Sequence, residues 1–129
     1  MTLKELSEVY YIDKEIKKDK AQLKELEERS TSTSQTYSHT PSAHSADSKV
    51  ERYATAIADL QETIRLNEIR LTETRAKITR WINAISDSQT RLIFKLRFLW
   101  LLGWDDVAEE IGGGNTSDSV KKRCYRYLK

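Results

Sequence analysis

Residues 50–85 read VERYATAIADLQETIRLNEIRLTETRAKITRWINAI, with an aliphatic residue at every seventh position. These residues are Val50, Ile57, Ile64, Leu71, Ile78 and Ile85. The positions between them hold Tyr53, Leu60, Asn67, Thr74 and Trp81. A strict seven-residue repeat stays on one side of a helix only if that helix supercoils with a neighbour. The spacing therefore predicts a long coiled-coil helix over 49–86 that needs a partner.

Two partners for this helix are open. Residues 1–29 predict a second helix, whose aliphatic residues also follow steps of three and four. Those residues are Val9, Ile12, Ile16, Leu23 and Leu26. We expect either an antiparallel hairpin within the chain or a dimer of two chains. In the second case the oligomerisation seam is Val50, Ile57, Ile64, Leu71 and Ile78.

The segment 30–48, STSTSQTYSHTPSAHSADS, separates the two predicted helices. Eleven of its nineteen residues are Ser or Thr, and it holds the chain's one proline. Such a composition predicts a flexible linker, because it offers little apolar surface to offset the entropy of ordering. His39 and His44 lie there without a cysteine or an acidic residue at metal-ligand spacing. We expect no metal and no cofactor.

The composition favours a small protein built of solvated helices. Of the 129 residues, 33% are charged and 38% are hydrophobic, which suits extended helices better than a large core. Cys124 is the single cysteine, so no internal disulfide forms, as is usual in a reducing compartment. The longest apolar run, Phe98 to Leu102, is too short to span a bilayer. We expect a cytoplasmic protein that does not enter membranes.

Three shorter helices are predicted over 87–129. The first runs over 88–102 and is expected to bury Leu92, Ile93, Leu96, Leu99 and Trp100. The second covers 104–111, with two acids in its first turn. The third begins at Thr116 or Ser117. Trp81, Trp100 and Trp104 all occupy positions that we expect to pack in the core.

The last two helices have the outline of a helix-turn-helix. Gly112 and its neighbours suit the turn, Ala108 is small where the helices cross, and Val120 anchors the second helix. The residues expected in the core of this motif are Ala108, Ile111, Gly112, Val120 and Cys124. Residues 116–129 hold five basic side chains against one acidic side chain. The residues expected to contact DNA are Asn115, Thr116, Ser117, Asp118, Lys121, Lys122, Arg126 and Lys129.

Enzymatic alternatives are weak. The sequence Gly112-Gly113-Gly114-Asn115 is no phosphate-binding loop, because no strand precedes it and no Lys-Ser/Thr follows. Glu109 and Glu110 are adjacent on a helix and point to different sides, so they cannot flank one substrate. No histidine is near Cys124 in sequence to activate its thiol. We expect no catalytic residue.

The stretch RLIFKLRFLWLLGWDDVAEEIGGGNTSDSVKKRCYRYL resembles region four of bacterial sigma factors. The matching residues are Asp106-Val107-Ala108-Glu109 and Ser119-Val120-Lys121-Lys122-Arg123, and the resemblance covers about residues 85–129. With the long charged helix before it, the chain is similar to phage transcriptional activators of the RinA and ArpU type. The resemblance implies an all-α, DNA-binding regulator encoded by a phage or prophage, acting on late or packaging genes, with host RNA polymerase as a further partner.

Two other functions fit the same predicted elements. A small terminase subunit, which packages DNA, also joins a helix-turn-helix to an oligomerising helix. A coiled-coil adaptor would use the long helices and never contact DNA.

Overall fold

The computed structural model describes residues 1–36 and 43–129, and the side chains of 1–31 and 48–129. Five helices follow one another in this part of the chain. They are α1 (Leu3–Thr36), α2 (Ala43–Asn83), α3 (Ser88–Phe94), α4 (Trp104–Ile111) and α5 (Ser117–Leu128). A π-helical turn, Lys95–Leu99, continues α3 and is called the π-turn below. The described residues contain no strand, which confirms the predicted all-α class.

Both long helices extend into the segment that was predicted as a linker. α1 continues to Thr36 and α2 begins at Ala43, which corrects the predicted boundaries at residues 29 and 49. Ser and Thr are compatible with a helix when the hydroxyl has an acceptor there, as when Thr31 Oγ1 donates to the Glu27 carbonyl at 3.0 Å. The predicted linker residues 37–42, including His39, lie outside the described residues, as does the side chain of His44.

The chain divides into two units, and residues 14–69 form the hairpin unit. In it, α1 and α2 run in opposite directions. Lys20 Nζ lies 3.1 Å from Glu68 Oε1, and Leu26, later in α1, lines one cavity with Tyr53, which is earlier in α2 than Glu68. Ile16 and Ile64 are buried between the helices. Half-buried apolar side chains continue the contact at Leu23, Ile57 and Leu60.

Residues 1–13 and 70–129 form the other unit, called the core unit here. One hydrophobic cluster joins the first turns of α1 to the end of α2 and to every later helix. Its completely buried members are Leu6, Val9, Ile78, Ile82, Ile85, Ile93, Phe94, Val107, Val120 and Cys124. Leu6 was not among the apolar residues that the sequence pattern selected in the first helix.

α2 ends at Asn83, three residues before the predicted end, and α3 begins at Ser88. Asp87 caps α3, because its Oδ2 accepts hydrogen bonds from the Thr90 amide at 2.9 Å and the Thr90 hydroxyl at 2.6 Å. Arg91 Nη1 donates to the Ile85 carbonyl at 2.7 Å, which links α3 to the residues that follow α2. This short connection turns the chain from α2 into α3.

The π-turn changes which side chains point inward. The Trp100 amide donates to the Lys95 carbonyl at 3.0 Å, a spacing of five residues where an α-helix has four. Phe98 and Leu99 are therefore buried, whereas Trp100 is 70% exposed. The predicted helix over 88–102 and the predicted burial of Trp100 are both corrected, since the prediction assumed 3.6 residues per turn throughout. Leu92, also predicted to be buried, is exposed.

A turn of three glycines joins α4 to α5. Gly112, Gly113 and Gly114 have φ values of 69°, 64° and 77°, a region that favours glycine over residues with a Cβ atom. Gly112 combines its φ with a ψ of −154°, a conformation almost restricted to glycine. The three glycines thus serve the backbone path between the two helices.

Candidate nucleic-acid interface

The inward side of α5 is fixed by the core. Val120 and Cys124 are completely buried, and Leu128 is half-buried. Tyr127 is partly exposed, yet its ring stacks edge-on against Trp81 at 5.9 Å and Phe94 at 5.5 Å. These contacts fix the rotation of α5 about its axis, so its opposite side faces outward.

α4 provides the surface on which α5 is seated. Val107 and Ala108 are buried, and Ile111 and Gly112 are half-buried. Trp104 meets Tyr125 edge-on with ring centroids 6.3 Å apart. Of the residues predicted for the core of the motif, Ala108, Val120 and Cys124 lie in the hydrophobic cluster and Ile111 packs against it, whereas Gly112 lies in the turn outside the cluster.

The start of α5 is closed by hydrogen bonds between its own side chains. Thr116 Oγ1 accepts from the Ser119 amide at 3.1 Å, and Ser119 Oγ accepts from the Thr116 amide at 2.9 Å, a capping box. Asn115 Nδ2 donates to the Gly112 carbonyl at 2.9 Å, and Asn115 Oδ1 accepts from Ser119 Oγ at 3.1 Å. Asn115 and Thr116, both predicted to contact DNA, are thus engaged in holding the turn and the helix start.

The outward side of α5 is basic. Lys121, Arg126 and Lys129 are exposed and have no ion-pair partner in the part of the chain that the structure describes. Lys122 is exposed as well, but its Nζ lies 2.9 Å from Asp118 Oδ2. Ser117 is half-buried in the first turn. Except for Asn115 and Thr116, which precede α5, and Lys129, which follows its last residue, the predicted DNA-contacting residues therefore lie along one short helix.

Arg123 has a different role from the other basic residues of α5. Its Nη2 donates to Asp87 Oδ2 at 2.9 Å, its Nε to Thr90 Oγ1 at 3.2 Å, and its Nη1 to Gln89 Oε1. The hydroxyl and amide of Thr90, and then the Arg123 guanidinium, hold the pKa of the Asp87 carboxyl below its ordinary value. Arg123 thus ties α5 to the start of α3.

From the sequence, Arg123 is one of the basic residues of the C-terminal stretch, and nothing near it in sequence indicates this role. Its partner Asp87 lies 36 residues earlier, so no local spacing indicates the contact.

Two cation–π contacts adjoin the α4–α5 pair. The Arg97 guanidinium carbon lies 4.7 Å from the centre of the Trp104 ring, and Arg97 Nη1 donates to the Leu102 carbonyl at 2.9 Å. Lys121 Nζ lies 5.9 Å from the centre of the Tyr125 ring. Both contacts place positive charge beside aromatic surface next to α5.

Two further features bear on the predicted chemistry. Burial raises the pKa of the Cys124 thiol to about 12, with nearby Arg97 opposing the shift, so little of the nucleophilic thiolate forms at neutral pH. Within residues 1–36 and 43–129, no group of three potential metal ligands comes together. None of the helices described combines the length and apolarity that crossing a bilayer requires.

Comparison of the chain with known protein families, curated proteins and solved structures finds no match.

Proposed function

We propose that the protein is a sequence-specific DNA-binding regulator of transcription, with α4, the glycine turn and α5 as its helix-turn-helix. One observation carries the proposal: α5 is seated on the core by Val120 and Cys124 and presents a basic outward side. A short helix with one buried and one basic side suits the major groove, which admits an α-helix. The sigma-like residues support a phage or prophage activator of late or packaging genes.

The contacts within α5 support a division of roles along the helix. Lys121, Arg126 and Lys129 form no ion pair within the described residues, and ammonium and guanidinium groups bind phosphates. Ser117 and Asp118 lie in the first turn, the part of a recognition helix that reaches base edges. Asn115 and Thr116 position that turn through their own hydrogen bonds.

The hairpin unit supports an association role. α2 exposes Leu66 and Ile69 there, 52% and 44% accessible respectively, although both are aliphatic. Apolar side chains on an otherwise charged helix suit a second copy of the chain or a surface of RNA polymerase. A dimer would present two α5 helices about 34 Å apart, which favours a palindromic or directly repeated binding site.

A salt titration of duplex binding tests the proposal. Three phosphate contacts predict that log Kobs falls with log salt at a slope of roughly −3. Lys121→Ala and Arg126→Ala should each weaken binding to every duplex and reduce the slope by about 1. Lys18→Ala, which removes an exposed cation from α1, is the matched control and should change neither quantity. Absent binding at low salt would overturn the proposal.

A second measurement separates the base contacts from the phosphate contacts. Ser117→Ala should change the preferred sequence in a selection from random duplexes while leaving the salt slope in place. Uniform weakening on all sequences would contradict the assignment of Ser117 to base edges.

The exposed Leu66 and Ile69 also favour one alternative, a small terminase-like packaging protein. Light scattering decides between the two, because a closed ring of roughly eight or more subunits suits packaging whereas a dimer suits the regulator. A monomer that binds no duplex would favour the coiled-coil adaptor.

A further inference from the structure

A pocket of about 330 Å³ opens in the core unit between the first turns of α1, the π-turn, Trp104 and Tyr125. Five of its lining residues are aromatic: Tyr10, Tyr11, Phe98, Trp104 and Tyr125. Its volume lies at the lower end of the range of about 300–1,000 Å³ in which small-molecule sites fall. Walls of this kind suit a flat aromatic ring, because offset and edge-to-face ring contacts are favourable.

Arg97 is the charged residue that lines this pocket. Its Nη1 is held by the Leu102 carbonyl at 2.9 Å, and its Nε and Nη2 have no acceptor within the described residues. Those two nitrogens form one edge of the guanidinium, from which two parallel N–H bonds can reach both oxygens of a carboxylate. The same chain shows this geometry on α2, where Arg65 Nε and Nη2 lie 2.9 and 2.7 Å from the two oxygens of Glu62.

The charged groups around the pocket determine whether it favours an anionic or a cationic ligand. No carboxylate lines it in the part of the chain that is described, and Lys121 Nζ lies near the ring of Tyr125, one of its walls. Arg97 already covers the face of Trp104, where a cationic ligand would otherwise stack. An anion is therefore favoured over a cation.

We propose that this pocket binds a small aromatic carboxylate. The ring packs among Tyr11, Trp104 and Tyr125, and the carboxylate accepts two hydrogen bonds from the free edge of Arg97. The inference does not depend on DNA binding, and direct measurement on the full chain tests it.

Calorimetric titration with indole-3-acetate and with its neutral analogue indole-3-acetamide is the first test. A ligand of this size at ordinary ligand efficiency should bind with a Kd on the order of 1 mM or below. The acid should bind at least about tenfold more tightly than the amide, because hydrogen bonds to a charged group are roughly twice as strong as neutral ones. Equal affinity for both compounds, or no binding of either, would overturn the proposal.

Substitutions of the lining residues test whether the two compounds bind in this pocket. Arg97→Gln should remove the preference for the acid, and Arg97→Lys should restore only part of it, because an ammonium lacks the forked edge. Tyr11→Ser, at a side chain that is 66% exposed, should weaken both compounds while leaving the melting temperature unchanged. Trp100→Ala removes an exposed tryptophan outside the pocket and is the matched control. Full acid binding by folded Arg97→Gln protein, or by Tyr11→Ser protein, would show that the compound binds elsewhere.

Discussion

The hairpin unit and the core unit bury the same heptad seam to different extents. In the hairpin unit Ile64 is buried, but Val50 is 39% exposed. In the core unit Ile78 and Ile85 are 1% and 2% exposed. The difference arises because the core unit covers the seam with α3, α4 and α5 as well as with α1. A heptad repeat therefore selects the inward side of a helix, while the elements packed against that side determine how much of it is buried.

This difference has an energetic consequence. Buried apolar area is the main favourable term in folding, so the core unit should hold most of the stability of the chain. The hairpin unit, with fewer completely buried side chains, belongs to the low-stability end of local unfolding.

Thiol labelling should separate the units most widely. The raised pKa of Cys124 leaves a thiolate fraction about a thousandfold below that of an ordinary cysteine at neutral pH, and burial blocks access as well. Native protein should therefore react with a thiol reagent only after unfolding. In a Leu60→Cys, Cys124→Ala variant the thiol lies in the hairpin unit, which we expect to open locally more often than the core unit. The rate of thiol labelling of this variant should exceed that of the native chain by a factor on the order of a hundred or more. Equal rates would contradict the division.

Truncation of core side chains gives the next largest effect. Phe94→Ala removes a completely buried ring and should lower the free energy of unfolding by about 3–5 kcal/mol. Leu60→Ala, at a half-buried position of the hairpin unit, should cost only about 1–2 kcal/mol. Urea denaturation followed by circular dichroism measures both. Similar costs would show that the hairpin contributes more than its burial indicates.

The glycine turn tests a backbone contribution within the core unit. Gly112→Ala should lower the free energy of unfolding by about 1–3 kcal/mol, because alanine is strained at the φ and ψ of Gly112. A steric clash is not the cause, since the added Cβ would have no atom of another part of the chain within 4 Å. Gly103→Ser is the matched control: Gly103 caps α4 in an extended conformation, and serine is a better cap by a few tenths of a kcal/mol. An unchanged melting temperature for Gly112→Ala would contradict the strain.

The smallest effect concerns pH. The folded pKa of Asp87 lies below its ordinary value of 3.8, so its stabilisation is present at neutral pH and is lost as the pH falls through that lowered pKa. Asp87→Asn should therefore flatten the decline of the melting temperature below about pH 4.

Glu62 provides the comparison in the hairpin unit. The hydrogen bond from Arg65 also lowers the pKa of this carboxyl, but the pair lies three residues apart on one helix and joins no second element. Glu62→Gln should change the acid limb less than Asp87→Asn does. The reverse order would show that the tie between α3 and α5 is not the acid-sensitive contact.

The sequence predicted the features that depend on local periodicity. The heptad phase selects Ile64, Ile78 and Ile85, all of which are buried. Contacts between residues distant in sequence lay beyond such patterns. The role of Arg123 depends on a partner that only the fold brings near it.

Other features have local causes that periodicity cannot reveal. The Asn115 amide closes the turn, and its predicted contact with DNA stays a prediction. Trp100 fits a core position of a regular helix, but the hydrogen-bond spacing of the π-turn moves it outward.

The π-turn has a consequence for changes in chain length. It acts as a one-residue insertion within α3, since removing one residue from Lys95–Leu99 would restore the regular α-helical repeat. Because the wider turn already absorbs the extra residue, such a deletion should keep Trp100 exposed and leave the residues after it facing as they do now. This segment is thus a place where the chain can lose one residue without turning a displayed aromatic ring into the core.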